Sequence, residues 1–226
     1  MRVDALIPAR AGSRRLPGKH LLPLGGRPLL DWTLLAARAA GIFRRITLST
    51  DDPALRERGL ELGLDPFPLR PARLATDVSR SADVLAHYLE WLPSAGLELP
   101  DWVMLLQPTS PFRGAERIRE ACGLAEERGG DVVSLGPVGK PLEWCRELRD
   151  GRARAWSCPE PAPAWRLNGA IYLTRVERFR ADGCLLPAEP LALLMEDWES
   201  VDIDTPLDWL QAMGVANGRN PASEAA

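Results

Sequence analysis

Continuous apolar runs alternate along the chain with stretches whose apolar residues recur every three to four positions. Val3 to Ala9 and Trp102 to Leu106 are nearly unbroken, and Ile46 to Ser49, Asp131 to Leu135 and Gly169 to Leu173 are shorter runs of the same kind. Unbroken rather than alternating apolarity marks strands buried on both faces. Between them, Leu29, Leu30, Trp32, Thr33, Leu34, Ala36 and Ala37 form a helical stripe that Pro28 opens and Gly41 closes. Asp51-Asp52-Pro53 caps a second helix reaching Leu62. Val84, Leu85, Tyr88, Leu89 and Leu92 mark a third helix over 81–92, and 115–127 a fourth. A short strand is predicted near 65–69 and a closing helix over 207–213, with frayed residues after Gly214. Strands alternating with helices build βαβ units, and so a parallel sheet covered on both faces with ligands at the carboxyl ends of its strands.

From Gly136 to about Arg166 this pattern breaks. Pro137, Gly139, Pro141, Gly151, Pro159, Pro161 and Pro163 leave little room for long helices, while Trp144, Trp156 and Trp165 are costly to leave in water. The stretch reads as a β-rich excursion with a hairpin around Asp150-Gly151, covering the site or packing on another subunit. A plain surface insert is the other reading.

Length suits one large domain, or one domain with a small appendage, at 226 residues. With a net charge of -3 the surface as a whole carries no nucleic-acid footprint. The apolar run at the N-terminus is too short for a signal peptide, and no stretch approaches the ~20 apolar residues of a membrane helix. The expectation is a cytoplasmic protein with neither membrane nor nucleic-acid partners. Cys122, Cys145, Cys158 and Cys184 show no metal-type spacing and read as isolated thiols.

The candidate chemistry begins where the first strand ends. Residues 7–21 carry Arg10, Arg14, Arg15 and Lys19 among Pro8, Gly12, Pro17 and Gly18, so the segment is a basic loop. Backbone N–H groups at Gly12 and Ser13, with those cations, would offset the charge of a triphosphate, although a solvated turn with incidental arginines fits the composition equally. Five residues separate Gly12 from Gly18 and His20 follows Lys19, which excludes a Walker A loop. Asp202 and Asp204 alternate across Ile203, so in an extended chain both carboxylates face one way, roughly 6 to 7 Å apart. Mg²⁺ held by one or two carboxylates fits that pair; alternatively Asp204 caps the next helix and Asp202 is merely exposed. Gln107 to Arg113 and Arg166 to Gly169 lie at strand ends, as binding rims or as polar turns. Arg70, Ser79 and Ser81 form a polar lip that could read a base edge, with Ser81 equally able to cap a helix. His87 reads as a packed histidine.

Several segments together resemble the acylneuraminate cytidylyltransferases, a family that includes enzymes for legionaminate and pseudaminate: Ile-Pro-Ala-Arg-Ala-Gly-Ser-Arg-Arg-Leu-Pro-Gly-Lys (7–19), Ser-Thr-Asp-Asp (49–52), Arg70-Pro71 followed by Leu74-Ala75-Thr76-Asp77, Leu-Gln-Pro-Thr-Ser-Pro-Phe-Arg (106–113), Asn-Gly-Ala-Ile-Tyr (168–172) and Asp202-Ile203-Asp204. They occur in the family's order across residues 3 to 213. The first segment also resembles 3-deoxy-manno-octulosonate cytidylyltransferases; the fourth and fifth point to the acylneuraminate branch.

The resemblance implies an α/β class protein, a three-layer α/β/α mostly parallel sheet of the nucleotide-diphospho-sugar transferase (Rossmann-like) fold. Its core would be 1–135 with 167–215, its excursion 136–166 a dimerisation or lid element, and 216–226 a flexible tail. The implied reaction joins CTP to a nine-carbon 2-keto acid sugar, giving CMP-sugar and pyrophosphate, in a homodimer that uses Mg²⁺. On matching positions Arg10, Ala11, Gly12, Ser13, Lys19, His20, Arg70, Ser79 and Ser81 would hold the nucleotide. Gln107, Arg166 and Asn168 would lie toward the sugar, and Asp202 and Asp204 would take the metal; Arg10, Lys19 and the two aspartates are the candidate catalytic set. The chain departs from the pattern at His20, where the family commonly has Asn, and at Ser157 to Pro163, where an Arg-Gln pair is usual. A nucleotidyltransferase for another acidic or phosphorylated sugar, and a nucleotide-binding module without turnover, are the alternatives.

Overall fold

The computed structural model describes residues 1–155 and 164–218. Its strands are β1 (Val3–Pro8), β2 (Pro23–Leu24), β3 (Arg27–Pro28), β4 (Phe43–Ser49), β5 (Trp102–Leu105), β6 (Val132–Pro137), β7 (Arg146–Arg149), β8 (Arg152–Ala155), β9 (Trp165–Arg175) and β10 (Leu191–Leu194). The helices are α1 (Leu29–Ala40), α2 (Pro53–Glu61), α3 (Ser81–Ser94), α4 (Ala115–Arg128), α5 (Val176–Asp182) and α6 (Pro206–Gly218). Six strands form one sheet in the order β10-β6-β9-β5-β1-β4, all parallel except β9, which runs antiparallel to both β5 and β6.

Alternate residues of the central strands feed two cores, which makes the fold three layers deep. Ala5 and Ile7 of β1 and Met104 of β5 pack with Leu30 and Leu34 of α1, Leu55 of α2 and Ile118 of α4. Leu6 and Val103 point the other way, onto Val84, Leu85 and Tyr88 of α3 and Val176 and Phe179 of α5. A third cluster seats Ala212 and Ala216 of α6 on Leu24 and Leu29, next to Val201 and Ile203. That last contact carries the C-terminal Asp202-Ile203-Asp204 segment to the N-terminal loop.

Local signals acted as their chemistry demands. Gly41 ends α1 at φ 67°, and Asp52 caps α2 by accepting from Ala54 N at 2.8 Å. Asp150 and Gly151 take φ values of 50° and 74° between β7 and β8, the pair of positive angles that a two-residue hairpin needs. Trp144 and Leu148 by this hairpin are 65% and 75% exposed.

Three expectations are corrected, and one strand is added. Residues 65–69 form no strand, only a single parallel bridge between Thr47 and Asp65; Phe67 instead turns inward against Tyr88 and Trp91. The strand expected at 169–173 is eleven residues long and antiparallel, beginning at Trp165 inside the stretch read as excursion. The edge strand β10 was not foreseen, because Leu191–Leu194 follows Pro187 and Pro190 and is too short to show a period. The closing helix continues past Gly214 to Gly218, anchored by buried Ala216, so residues 216–218 belong to it. The expectations for Trp156 and for Ser157 to Pro163 lie outside the described residues, as do those for 219–226. Among the described residues no helix is long and apolar enough to cross a membrane.

Candidate active site

At the carboxyl ends of β1 and β5 the surface opens into a cleft of about 500 Å³. Arg10, Ser13, Arg14, Arg15, Lys19 and His20 line one wall, Arg70, Asp77, Ser79, Ser81 and Val84 a second, and Gln107, Pro108, Thr109, Asp202 and Asp204 a third. Segments distant in sequence thus meet where a parallel sheet offers its binding crevice.

The loop after β1 is fixed from below by Asp51, whose Oδ1 accepts from Ala11 N at 2.9 Å. Ser13 N donates to Ala11 O at 2.9 Å. The amides of Ala11 and Ser13 are therefore engaged within the protein, which corrects the expectation of a free N–H at Ser13. Gly12 is exposed, with no atom within 4 Å of where a Cβ would stand, so the open space above the loop lies at this residue. Gly18, at φ 65°, turns the chain into a short 3₁₀ turn, Lys19–Leu21, that buries Lys19 and His20.

Lys19 is 6% exposed, and its Nζ donates to Ile203 O at 2.7 Å and Asp204 Oδ1 at 2.9 Å. Arg15 Nη2 donates to the other oxygen, Asp204 Oδ2, at 2.7 Å. Burial works against ionisation of Asp204, but Lys19, and after it Arg15, hold its carboxyl below the ordinary range. Asp202 is the opposite case: burial, reinforced by the charge of Asp204, pushes its carboxyl up, against a hydrogen bond from Thr109. Asp202 Oδ1 is buried and has no hydrogen-bond partner within the protein. Asp204 does not cap α6; Thr205 Oγ1 accepts from Asp208 N at 3.3 Å while Asp208 Oδ2 accepts from Thr205 N at 2.7 Å. Both aspartates line the cleft, Asp204 with its oxygens shared between Lys19 and Arg15. Among the described residues no three His, Cys, Asp or Glu side chains gather as a metal cage, so a cation here would rest on two carboxylates plus ligand and water oxygens, the arrangement Mg²⁺ accepts.

On the second wall Arg70 is 6% exposed, with Nε on Ser49 Oγ at 3.1 Å and Nη2 on Ser49 O at 2.5 Å. Burial, with a contribution from Arg10, lowers its guanidinium to about 10, which leaves it charged at neutral pH. His20 is 6% exposed with Nδ1 lacking a partner. Burial first, then the charges of Lys19, Arg70 and Arg10, depress its imidazole to about 4, so at neutral pH His20 is an uncharged donor and acceptor. Ser81 opens α3, but Asp83 Oδ2 is what accepts from Arg80 N, at 3.1 Å; the serine hydroxyl is not consumed as a cap.

The third wall rests on residues below it. Arg113 is wholly buried without a carboxylate partner; its Nη atoms donate to Ala170 O at 2.9 Å, Thr33 Oγ1 at 2.8 Å and Gln107 O at 3.3 Å. It stitches the Gln107–Arg113 turn to β9 and α1. Asn168 is 1% exposed, with Nδ2 on Ser200 Oγ at 3.0 Å and Oδ1 accepting from Ser134 Oγ at 2.6 Å. It is not among the residues that line the cleft, and its side chain is taken up by Ser134 and Ser200. Its neighbour Gly169, at φ 76°, lets Gln107 lie close: a Cβ there would come 2.7 Å from Gln107 Oε1. Arg166 also lies outside the cleft, with Nη2 on Ser200 O at 3.0 Å. His87 packs against Phe67 at 5.3 Å, as its sequence context suggests.

Asp77 and Thr109 also line the cleft; both lie in segments that carry the family resemblance, but neither was singled out as a site residue. Asp77 bridges Arg10 and Arg14 at 2.7 and 2.6 Å, and the arginines hold its carboxyl below the ordinary range. An acid following a run of small residues gives no positional signal; only its place opposite a basic loop does.

Residues 5–135 match the family model described as cytidylyltransferase. The chain is 37% identical over 221 residues to CMP-N,N'-diacetyllegionaminic acid synthase of Legionella pneumophila, covering 92% of this chain and 94% of that protein. It is 31% identical over 232 residues to N-acylneuraminate cytidylyltransferase of Escherichia coli, covering 97% of this chain but 53% of that protein, so it spans about half the length of that relative. A solved structure of CMP:2-keto-3-deoxy-manno-octonic acid synthetase complexed with CTP superimposes with a TM-score of 0.71 at 18% identity, covering 96% of this chain and 99% of the other, a likeness of fold. The three-layer architecture is thus that of the nucleotide-diphospho-sugar transferases, and on the family match and the near full-length relative the chain belongs to the cytidylyltransferase family of nucleotidyltransferases.

Proposed function

We propose that this chain activates a nine-carbon 2-keto acid sugar, of the legionaminate and neuraminate type, by transferring CMP to it from CTP with release of pyrophosphate. One observation carries the reading: a single cleft joins the basic loop at Arg10 to Lys19, the Asp202/Asp204 pair and the Gln107 turn. Identity to the legionaminic acid enzyme along nearly the whole chain supports the sugar class.

In this reading Arg10, Ser13 and Lys19 bind the triphosphate, while buried Arg70, neutral His20, Ser79 and Ser81 face the nucleoside. Gln107, given room by Gly169 and with its backbone carbonyl held by Arg113, orients the sugar so that its anomeric hydroxyl lies in line with the α-phosphorus. Asp202, with its unpartnered oxygen, and Asp204 fit Mg²⁺, which when bound would neutralise charge on phosphate oxygens. One of these two aspartates, or a water held on the metal, is the most available group to take the hydroxyl proton as the sugar attacks. The exposed hairpin with Trp144 and Leu148 supports a homodimer contact, and CTP as substrate supports a cytoplasmic site.

The test is pyrophosphate release from CTP and Mg²⁺ across a panel of acidic sugars. Release with one or more nonulosonates is expected. Measurable CTP binding with no release from any sugar would overturn the reading.

A further inference from the structure

Asp77 is an anion that the chain itself places in the cleft. Oδ1 accepts from Arg10 Nη2 at 2.7 Å and Oδ2 from Arg14 Nη2 at 2.6 Å, one oxygen to each guanidinium, as two oxygens of a phosphate chain would be shared. Asp204 stands in the same relation to Lys19 and Arg15. The two acids differ in what carries them. Asp204 follows buried Val201 and Ile203, whereas Asp77 rides on residues 71–83, none of which is buried. Within that stretch Thr76 N donates to Ser79 Oγ at 3.1 Å and the two hydroxyls are 2.8 Å apart, closing a small turn around Asp77. Val78 beside it is 86% exposed, so no apolar packing at the turn's tip presses it onto the basic loop. The two ion pairs do that. A segment with so few buried contacts separates at low cost once they are replaced.

We infer that Asp77 is a specificity-determining residue that occupies the polyphosphate site of the free protein, so that only a ligand able to satisfy both Arg10 and Arg14 displaces it and frees the turn at 76–79. Binding of a triphosphate is then an exchange: two internal ion pairs are broken as two external ones form. A ligand with a single phosphate, which leaves Asp77 in place, gains nothing from the two arginines. The turn that Asp77 latches also carries Ser79, whose hydroxyl is turned inward on Thr76 while the latch is closed. The inference rests on the reading of the cleft as a nucleoside triphosphate site.

Calorimetric titration of CTP, CMP and inorganic tripolyphosphate into the full chain and its Asp77→Asn and Asp77→Glu variants tests it, with circular dichroism to confirm folding. Asp77→Asn is expected to tighten CTP and tripolyphosphate about 5- to 10-fold, the range two partly exposed ion pairs supply, and CMP by less than about 2-fold. Asp77→Glu, which keeps the carboxylate, stays within about 2-fold of wild type. Unchanged or weaker polyphosphate binding by folded Asp77→Asn overturns the inference. An equal gain for CMP also overturns it, because simple removal of a negative charge would then account for the result. If the wild type binds tripolyphosphate but not CTP, and Asp77→Asn still tightens tripolyphosphate, the nucleotide reading fails while the exchange stands.

Discussion

Lys19 Nζ lies 2.7 Å from Ile203 O and 2.9 Å from Asp204 Oδ1, so the last cation of the N-terminal loop is seated on the segment that carries the acid pair. The proposed phosphate cradle and the proposed metal-holding pair are thereby set by one contact. Replacing Lys19 with Met keeps the buried stem and removes the charge. CTP affinity is expected to fall at least about tenfold and turnover about 100-fold or more, the scale of losing one preorganised donor. Calorimetry and pyrophosphate release measure the two effects; an unchanged affinity for CTP would mean that the loop is not the cradle.

Asp202→Asn separates chemistry from folding. The carboxyl of Asp202 is raised by burial and by Asp204, so its ionised form is disfavoured in the folded protein. The sign is that of an acid whose folded pKa lies above its unfolded one: stability is lost as pH rises through the ordinary carboxylate range. The amide removes that penalty, so thermal stability at neutral pH, read by calorimetric scanning without metal, should hold or rise. Pyrophosphate release should fall by orders of magnitude. Near-normal release would remove Asp202 from the reaction.

His20 sets a pH dependence of its own. Its imidazole is depressed to about 4 from 6.5. Above pH 6.5 it is neutral folded or unfolded; between 6.5 and 4 the unfolded chain takes a proton that the folded protein refuses, and stability falls. The contribution at stake is about 3 kcal/mol. His20→Asn should lose less stability than wild type between pH 7 and pH 4.5 in urea unfolding. Parallel losses in the two proteins would show that His20 is not the group responsible.

Gly169→Ala tests the support beneath Gln107. At φ 76° alanine costs roughly 1 to 2 kcal/mol, and its Cβ would stand 2.7 Å from Gln107 Oε1 and push that side chain aside. Steady-state kinetics should show KM for the sugar rising several-fold more than KM for CTP. Equal increases would mean that Gln107 does not discriminate between the two substrates.

The central strands, the helices packed on them and the basic loop were legible because each depends on local signals: an unbroken apolar run, a helical stripe, a Gly or Asp cap. What escaped depends on partners far away in sequence. Arg113 looks like a surface residue and is wholly buried, because Ala170 O, Thr33 Oγ1 and Gln107 O converge on it from three segments. Asn168 sits in a motif expected to touch the sugar, yet Ser134 and Ser200 claim its side chain. Its use is one step removed, holding the strand that makes room for Gln107. Asp77 was legible only as the end of a resembling segment; its pairing with Arg10 and Arg14 appears only in the fold.

The antiparallel strand β9 has a consequence for how the molecule comes together. It lies between β5 and β6, which do not touch each other, and β6 has no other neighbour but β10. Residues 5–135, the part matched by the family model, therefore hold three strands of the six-stranded sheet that can pair and a fourth with nothing beside it. Closing the sheet waits for Trp165–Arg175, a late and non-local step of the kind that slows folding. A chain released before that point would expose the edges of β5 and β6 and leave Lys19 without the segment that seats it. The cleft therefore depends on segments beyond residue 135, and a fragment that ends there should aggregate rather than bind nucleotide.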